Sequence, residues 1–151
     1  MAHPYGTDAN METLLGEARF DALCLMTGSQ TPEAVYAQSR EDADGEIDAA
    51  LAQAYSVPFS TVPGLITTIS NNLTAAYLYR KRHPQGEDYK TYRDEAEQLL
   101  ERILAGTYEL PGATKVPANE GAMGVARLEV DGAEPMFAGT DENGDDRMQD
   151  W

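Results

Sequence analysis

The chain has 151 residues, of which 26 are acidic and 11 basic, for a formal net charge of −15. That length carries one domain with a real core and an appendage, and excludes two ordinary domains with linkers. The acidity argues against a broad face wrapped on nucleic acid, and the single cysteine, Cys24, leaves no internal disulfide, which suits a reducing cytosol.

Residues 1–10 are polar, with Pro4 and Gly6, and read as a loose N-terminal arm before a helix capped near Asp8 or Asn10. They hold no basic region followed by an apolar run, so secretion is not indicated, and no apolar run reaches membrane-spanning length. Leu14, Leu15, Phe20, Leu23, Cys24 and Met26 supply the next apolar positions, and Gly16 interrupts them, leaving open one bent helix or two short ones. Cys24 sits among Phe20, Leu23 and Leu25 without a basic neighbour, which fits a buried thiol better than a nucleophile. Thr27 to Thr31 is a polar turn, and Thr31-Pro32-Glu33 then opens a helix with a cap, an N1 proline and an early acid. Val35, Tyr36, Ala43, Ile47, Ala50, Leu51, Ala54 and Tyr55 keep a helical stripe to Tyr55, with Ser39 and Arg40 as its weak middle.

The dominant feature is Ser60 to Gly106, which reads as two amphipathic helices running out and back around a turn at His83 to Glu87. Thr61 is the expected N-cap, with Pro63 in the opening turn. Leu65, Ile66, Ile69, Leu73, Ala76 and Tyr77 form the first stripe; Tyr89, Tyr92, Ala96, Leu99, Leu100, Ile103 and Leu104 form the second, and Gly106 stops it. Arg80, Lys81 and Arg82, with Lys90 and Arg93 across the turn, gather five of the 11 basic residues at one tip. Such tips are usually just solvated, and a contact with an acidic partner is the functional alternative.

Beyond Gly106 the chain is rich in glycine and carries Pro111, Pro117 and Pro135, with no sustained helical stripe. Val125 to Val130 alternates as one short strand, with Leu128 and Val130 on the same side. Phe137 and Trp151 are large apolar residues in an otherwise acidic, solvated tail with no local core to enter. The expectation is an extended C-terminal arm over 111–151 that orders on a partner.

Candidate chemistry is thin. Glu41 to Asp48 invites comparison with a calcium loop, but the register puts Arg40 at the first ligand position and Leu51 where the bidentate glutamate belongs, so a solvated helix face is preferred. Asp141 to Asp146 reads as a turn around Asn143-Gly144. The glycosylation pattern Asn72-Leu73-Thr74 falls inside a predicted helix. His3 and His83 pair with no nucleophile or metal set, and Gly121 to Gly124 lacks the Lys of a phosphate loop. The tyrosines Tyr77, Tyr79, Tyr89 and Tyr92 cluster near the turn, where packing is their default role. No catalytic residues, cofactor or metal ligands are assigned, and an enzyme is not expected.

Several stretches together resemble the small helical head-to-tail connector proteins of Mu-like tailed phages. They are Glu46-Ile47-Asp48 with Leu51 and Tyr55; Pro58 and Val62-Pro63; Ala75-Ala76-Tyr77-Leu78-Tyr79 running into basic residues; and Leu100-Glu101-Arg102-Ile103 before Gly106. The resemblance covers about Met11 to Gly112 and rests on order and spacing. It implies an adaptor, or head-completion, protein of the virion neck, made in the host cytoplasm and assembled as a ring beneath the portal, of about twelve subunits in related connectors. The implied partners are copies of itself, the portal protein and the next neck or tail protein, with genomic DNA passing through the lumen without specific binding. Acidic side chains facing that lumen would repel DNA phosphates.

The expectation is therefore an all-α fold: a small antiparallel bundle of about four helices over 11–110, an N-terminal arm at 1–10 and an arm at 111–151. The candidate partner contacts are Arg80, Lys81, Arg82, Leu128, Val130, Phe137 and Trp151. The rival readings are a stopper or tail-completion protein, usually richer in strand, and a free acidic regulator that mimics DNA.

Overall fold

The computed structural model describes residues 5–25, 30–84 and 86–117. They form five helices: α1 (Asp8–Leu15), α2 (Glu17–Cys24), α3 (Pro32–Leu51), α4 (Gly64–Arg82) and α5 (Asp88–Leu104). The fold is all-α, as the periodicities require; the one β-type pairing among the described residues is an isolated antiparallel bridge between Tyr55 and Lys115.

Local chemistry explains most boundaries. Gly16 takes φ 82°, a left-handed conformation open to glycine, so it ends α1 and begins α2; the chain makes two short helices. The cap of α1 is Thr7, whose hydroxyl accepts the Asn10 N–H at 3.3 Å, rather than Asp8 or Asn10. Thr31 caps α3 through the Ala34 N–H with Pro32 in the first turn, as the sequence indicates. That helix stops at Leu51, a turn short of Tyr55, because Ala54, Tyr55 and Ser56 leave it to pair with the returning chain. Pro63, not Thr61, occupies the N-cap of α4, and no side chain caps it. At the other end of the hairpin, Gly106 adopts φ 75° and its N–H bonds to the Ile103 carbonyl while the Thr107 N–H reaches that of Arg102. This pair of bonds is the Schellman arrangement, and it closes α5 where the glycine predicted an end.

The core is built around α4, which touches all four other helices. Ile66, Ile69 and Leu73 enter one apolar cluster with Ala43, Ile47 and Leu51 of α3 and Ala96, Leu100 and Ile103 of α5. Ala75, Leu78 and Tyr79 enter a second cluster with Met11, Phe20, Leu23, Cys24, Val35 and Tyr36. A helix serving two clusters is buried nearly all round, which is why Ser70, Asn72 and Thr74 are also buried. Asn72 donates to Glu95 from inside the packing, so it offers no glycosylation site. Each Leu or Ile so placed contributes about 1.5–3 kcal/mol relative to exposure. By contrast Leu104, expected on the α5 stripe, is 50 % exposed.

Both ends of the bundle are tied more tightly than the composition suggests. Tyr5, expected in a loose arm, is 3 % exposed, and its ring packs on Phe59 at a centroid distance of 5.6 Å. After α5 the chain folds back: Leu110 is buried with the first cluster, the Ser56 N–H bonds to the Thr114 carbonyl at 2.8 Å, and the Val116 N–H to that of Ala54 at 3.0 Å. Packing therefore begins by Tyr5 and runs on past residue 110. The expected strand at 125–130 and the rest of the expected arm lie outside the described residues.

A candidate partner-binding surface at the hairpin tip

Arg80, Lys81 and Arg82 complete the last turn of α4, where the carbonyl end of the helix favours cations. The fold divides them. The Arg82 guanidinium donates to the Leu25 carbonyl and ties the hairpin to the end of α2. Lys81 Nζ donates to Ser39 Oγ at 3.0 Å, and Ser39 Oγ itself donates to the Val35 carbonyl, so the weak middle of α3 is a docking point for the hairpin. Arg80 is exposed and has no hydrogen bond or ion pair among the described residues. Among the described residues, the three expected to act together thus resolve into two structural cations and one without a partner.

Arg80 borders a cleft of 570 Å³ lined by Ala76, Tyr77, Tyr89 and Arg93. Its polar wall is fixed from α3: Tyr77 donates to Glu46 Oε2 at 2.7 Å and Arg93 donates to Glu46 Oε1 at 2.9 Å, while Arg93 Nε pairs with Glu97 at 2.6 Å. One carboxylate therefore clasps three helices. Burial, and then the Glu46 carboxylate it donates to, push the Tyr77 hydroxyl above the usual phenol value. Burial alone would lower the Arg93 value, but Glu46, Tyr77 and Glu97 outweigh it and raise it. Arg93 is thus committed to the fold, and the cleft offers two tyrosine rings and one uncommitted guanidinium. That set suits a carboxylate carried on a flat or apolar neighbour. Tyr79 and Tyr92 stack at 5.6 Å and Tyr89 packs with them on the second apolar cluster, whereas Tyr77 packs on the first, so Tyr89 reaches both the cleft and the second cluster.

The acidic stretch Glu41 to Asp48 is continuous helix, and only part of it is solvated. Asp44 turns inward, accepting the Tyr5 N–H at 3.0 Å and the Ser70 hydroxyl at 2.6 Å. Asp48 accepts the Tyr5 hydroxyl, which in turn accepts the Phe59 N–H at 3.2 Å. Burial raises the Asp44 carboxyl above its ordinary value; the Ser70 and Tyr5 bonds and nearby Arg40 oppose that, and Asp48 adds to it. The Tyr5 hydroxyl is pushed far up by burial and by Asp48. The expected solvated face is corrected here to a seam binding the N-terminal segment to α3 and α4. Charge runs read as solvated by default, and a partner 39 residues away leaves no local signal.

A second concavity, of 240 Å³, carries the opposite charge. Asp8, Glu12, Asp21 and Glu33 border it around Phe20, Tyr36 and Cys24. Arg40 stands near its rim, 3.9 Å from Asp8 and over the Tyr36 ring at 5.7 Å. Cys24 is buried as expected, and burial followed by the fields of Asp21, Asp8 and Glu33 pushes its thiol up to about 11. Burial also lifts the Tyr36 hydroxyl, to about 12.

The remaining candidate contacts, Leu128, Val130, Phe137 and Trp151, lie outside the described residues. Sequence reasoning missed Glu46, Tyr5 and the acidic concavity. In the sequence the Glu46-Ile47-Asp48 piece stands out only by its place in the order of motifs, and no nearby residue signals a partner for either acid. No curated protein matches the chain. A family model does match, over residues 5–127, from the residue where Tyr5 enters the core through both helices of the hairpin and beyond. With most of its length so matched, the chain belongs to the family described as bacteriophage Mu, Gp36.

Proposed function

We propose that this phage protein is a structural adaptor of the virion neck, joining the portal of the DNA-filled head to the tail as a homo-oligomeric ring around the DNA passage. The observation that carries the reading is the family match over residues 5–127. The fold is consistent with it. Two apolar clusters strung along α4, a three-helix clasp at Glu46 and ties just before α1 and just after α5 make a stiff helical unit, as a spacer under load requires. α4 with 19 residues and α5 with 17 span roughly 25–30 Å at about 1.5 Å per residue. The protein acts by assembly rather than by turnover, and its charge of −15 keeps passing DNA from sticking to it.

A nonsense mutation in the gene tests this. The reading expects DNA-filled heads and finished tails that do not join, with joining restored by the purified protein, and a fixed copy number of the chain in complete virions. Normal joined particles from the mutant, or virions lacking the chain, would overturn it. The latter result would favour a free acidic regulator.

A further inference from the structure

The two concavities share no lining residue and belong to different helices, one to α4 and α5, the other to α1, α2 and the start of α3. Among the described residues, the unpaired charges that line them are opposite. At the tip Arg80 has no hydrogen bond or ion pair among the described residues, and exposed Lys90 follows cleft-lining Tyr89 with exposed Glu87 and Asp88 just before it. By contrast, Glu12 and Asp21 are exposed along the other concavity with no ion pair among the described residues. Two copies of a chain at −15 repel in most orientations, and an approach that sets the basic tip against the acidic concavity is attractive.

We infer that the hairpin-tip cleft of one copy receives the acidic α1–α2 edge of a second copy, with Arg80 and Lys90 facing Glu12 and Asp21. The Arg80 guanidinium presents a planar fork of donors that matches a carboxylate. Tyr77 and Tyr89 supply rings of the kind enriched at interface centres. Phe20 and Tyr36 floor the receiving concavity but are buried, so its exposed carboxylates carry that side of the contact. The two surfaces differ, so the contact is head to tail: each copy keeps a free tip and a free edge, and the contact repeats until it closes into a ring or runs on as a filament. Arg93 adds shape and no free charge, because Glu46 and Glu97 already hold it. The inference rests on the ring reading but fails separately from it.

The test is a charge exchange on the full chain, followed by sedimentation velocity. R80E/K90E and E12K/D21K are made separately, with circular dichroism to confirm that both keep their helix content. Each alone is expected to weaken self-association by about tenfold or more, and salt at about 0.5 M to weaken that of the unaltered chain. An equal mixture of the two is expected to recover association, since the reversed tip fits the reversed edge and the native tip the native edge, in an alternating assembly. Either variant associating like the unaltered chain, a mixture that fails to recover, or an unaltered chain that stays monomeric throughout overturns the contact. None of these results bears on whether the protein is found in the neck.

Discussion

Asp44 is the sharpest test of how the bundle holds its N-terminal segment. Replacing it with alanine leaves the Tyr5 N–H and the Ser70 hydroxyl, bonded to it at 3.0 and 2.6 Å, without their acceptor. Each unsatisfied donor in a buried setting costs about 1–3 kcal/mol, and removing a desolvated carboxylate offsets part of that, so D44A is expected to lose about 1–3 kcal/mol in all. D44N is different. Its Oδ1 accepts from Tyr5 while its Nδ2 donates to Ser70 Oγ, so at about pH 7 it stays within about 1 kcal/mol of the unaltered chain. The pH dependence gives the sign. Burial raises the Asp44 carboxyl above its ordinary 3.8, so the native state binds more protons than the unfolded chain just above that value. Stability from this group therefore falls as pH rises through that window, and returns as pH falls toward 3.8. Urea unfolding followed by circular dichroism, from about pH 7 to about pH 4.5, reads the difference between the unaltered chain and D44N, in which titrations common to both cancel. The unaltered chain is expected to gain on D44N as the pH drops. If it loses ground, the carboxyl is held down by its donors, and burial is not its dominant influence.

Three further outcomes follow from the same geometry. G106A is expected to lose about 1 kcal/mol, because the Schellman turn holds that residue at φ 75°, whereas G45A, in mid-helix with open space where its Cβ would go, is expected to gain about 0.5–1 kcal/mol; paired urea titrations check both. E46A removes the acceptor shared by Tyr77 and Arg93 and is expected to cost about 1–3 kcal/mol, and a double-mutant cycle with R93A should show the two sites coupled; additive losses would mean the clasp contributes nothing as a unit. The Cys24 thiol, buried and raised to about 11, is expected to react with a thiol reagent at about pH 8 at least tenfold more slowly in the folded chain than in urea, as absorbance of the released thiolate would show.

The order of helices was legible wherever a single residue type forces the backbone. Thr31-Pro32-Glu33 started α3 and Gly106 closed the hairpin, each by chemistry contained within a few residues; Gly16 marked an interruption that the sequence left open between a bend and two helices, and its φ of 82° makes it two. What the sequence hid depends on partners far along the chain. Tyr5 looks like part of a polar arm until Asp44, Asp48 and Phe59 come together around it. Ser70, Asn72 and Thr74 dilute the stripe on α4, yet they are buried because that helix has neighbours on nearly every side. The return of 107–117 is fixed by backbone bonds to Ala54 and Ser56, which leave no periodic trace in so short a segment. The candidate site was half legible. Clustered basic residues marked the tip, but only packing separates Arg80 from Lys81 and Arg82, which are already engaged with Ser39 and Leu25. Reversing all three charges would therefore mix lost packing with lost recognition, and R80E alone is the cleaner probe.

The most direct measurement of the central claim is an electron cryomicroscopy reconstruction of the intact neck of the phage that encodes this chain. The account predicts a closed ring between portal and tail whose repeating unit accepts α3, α4 and α5 without rearrangement. A neck whose every density is assigned to other chains, with no helical unit of this shape between head and tail, would contradict it.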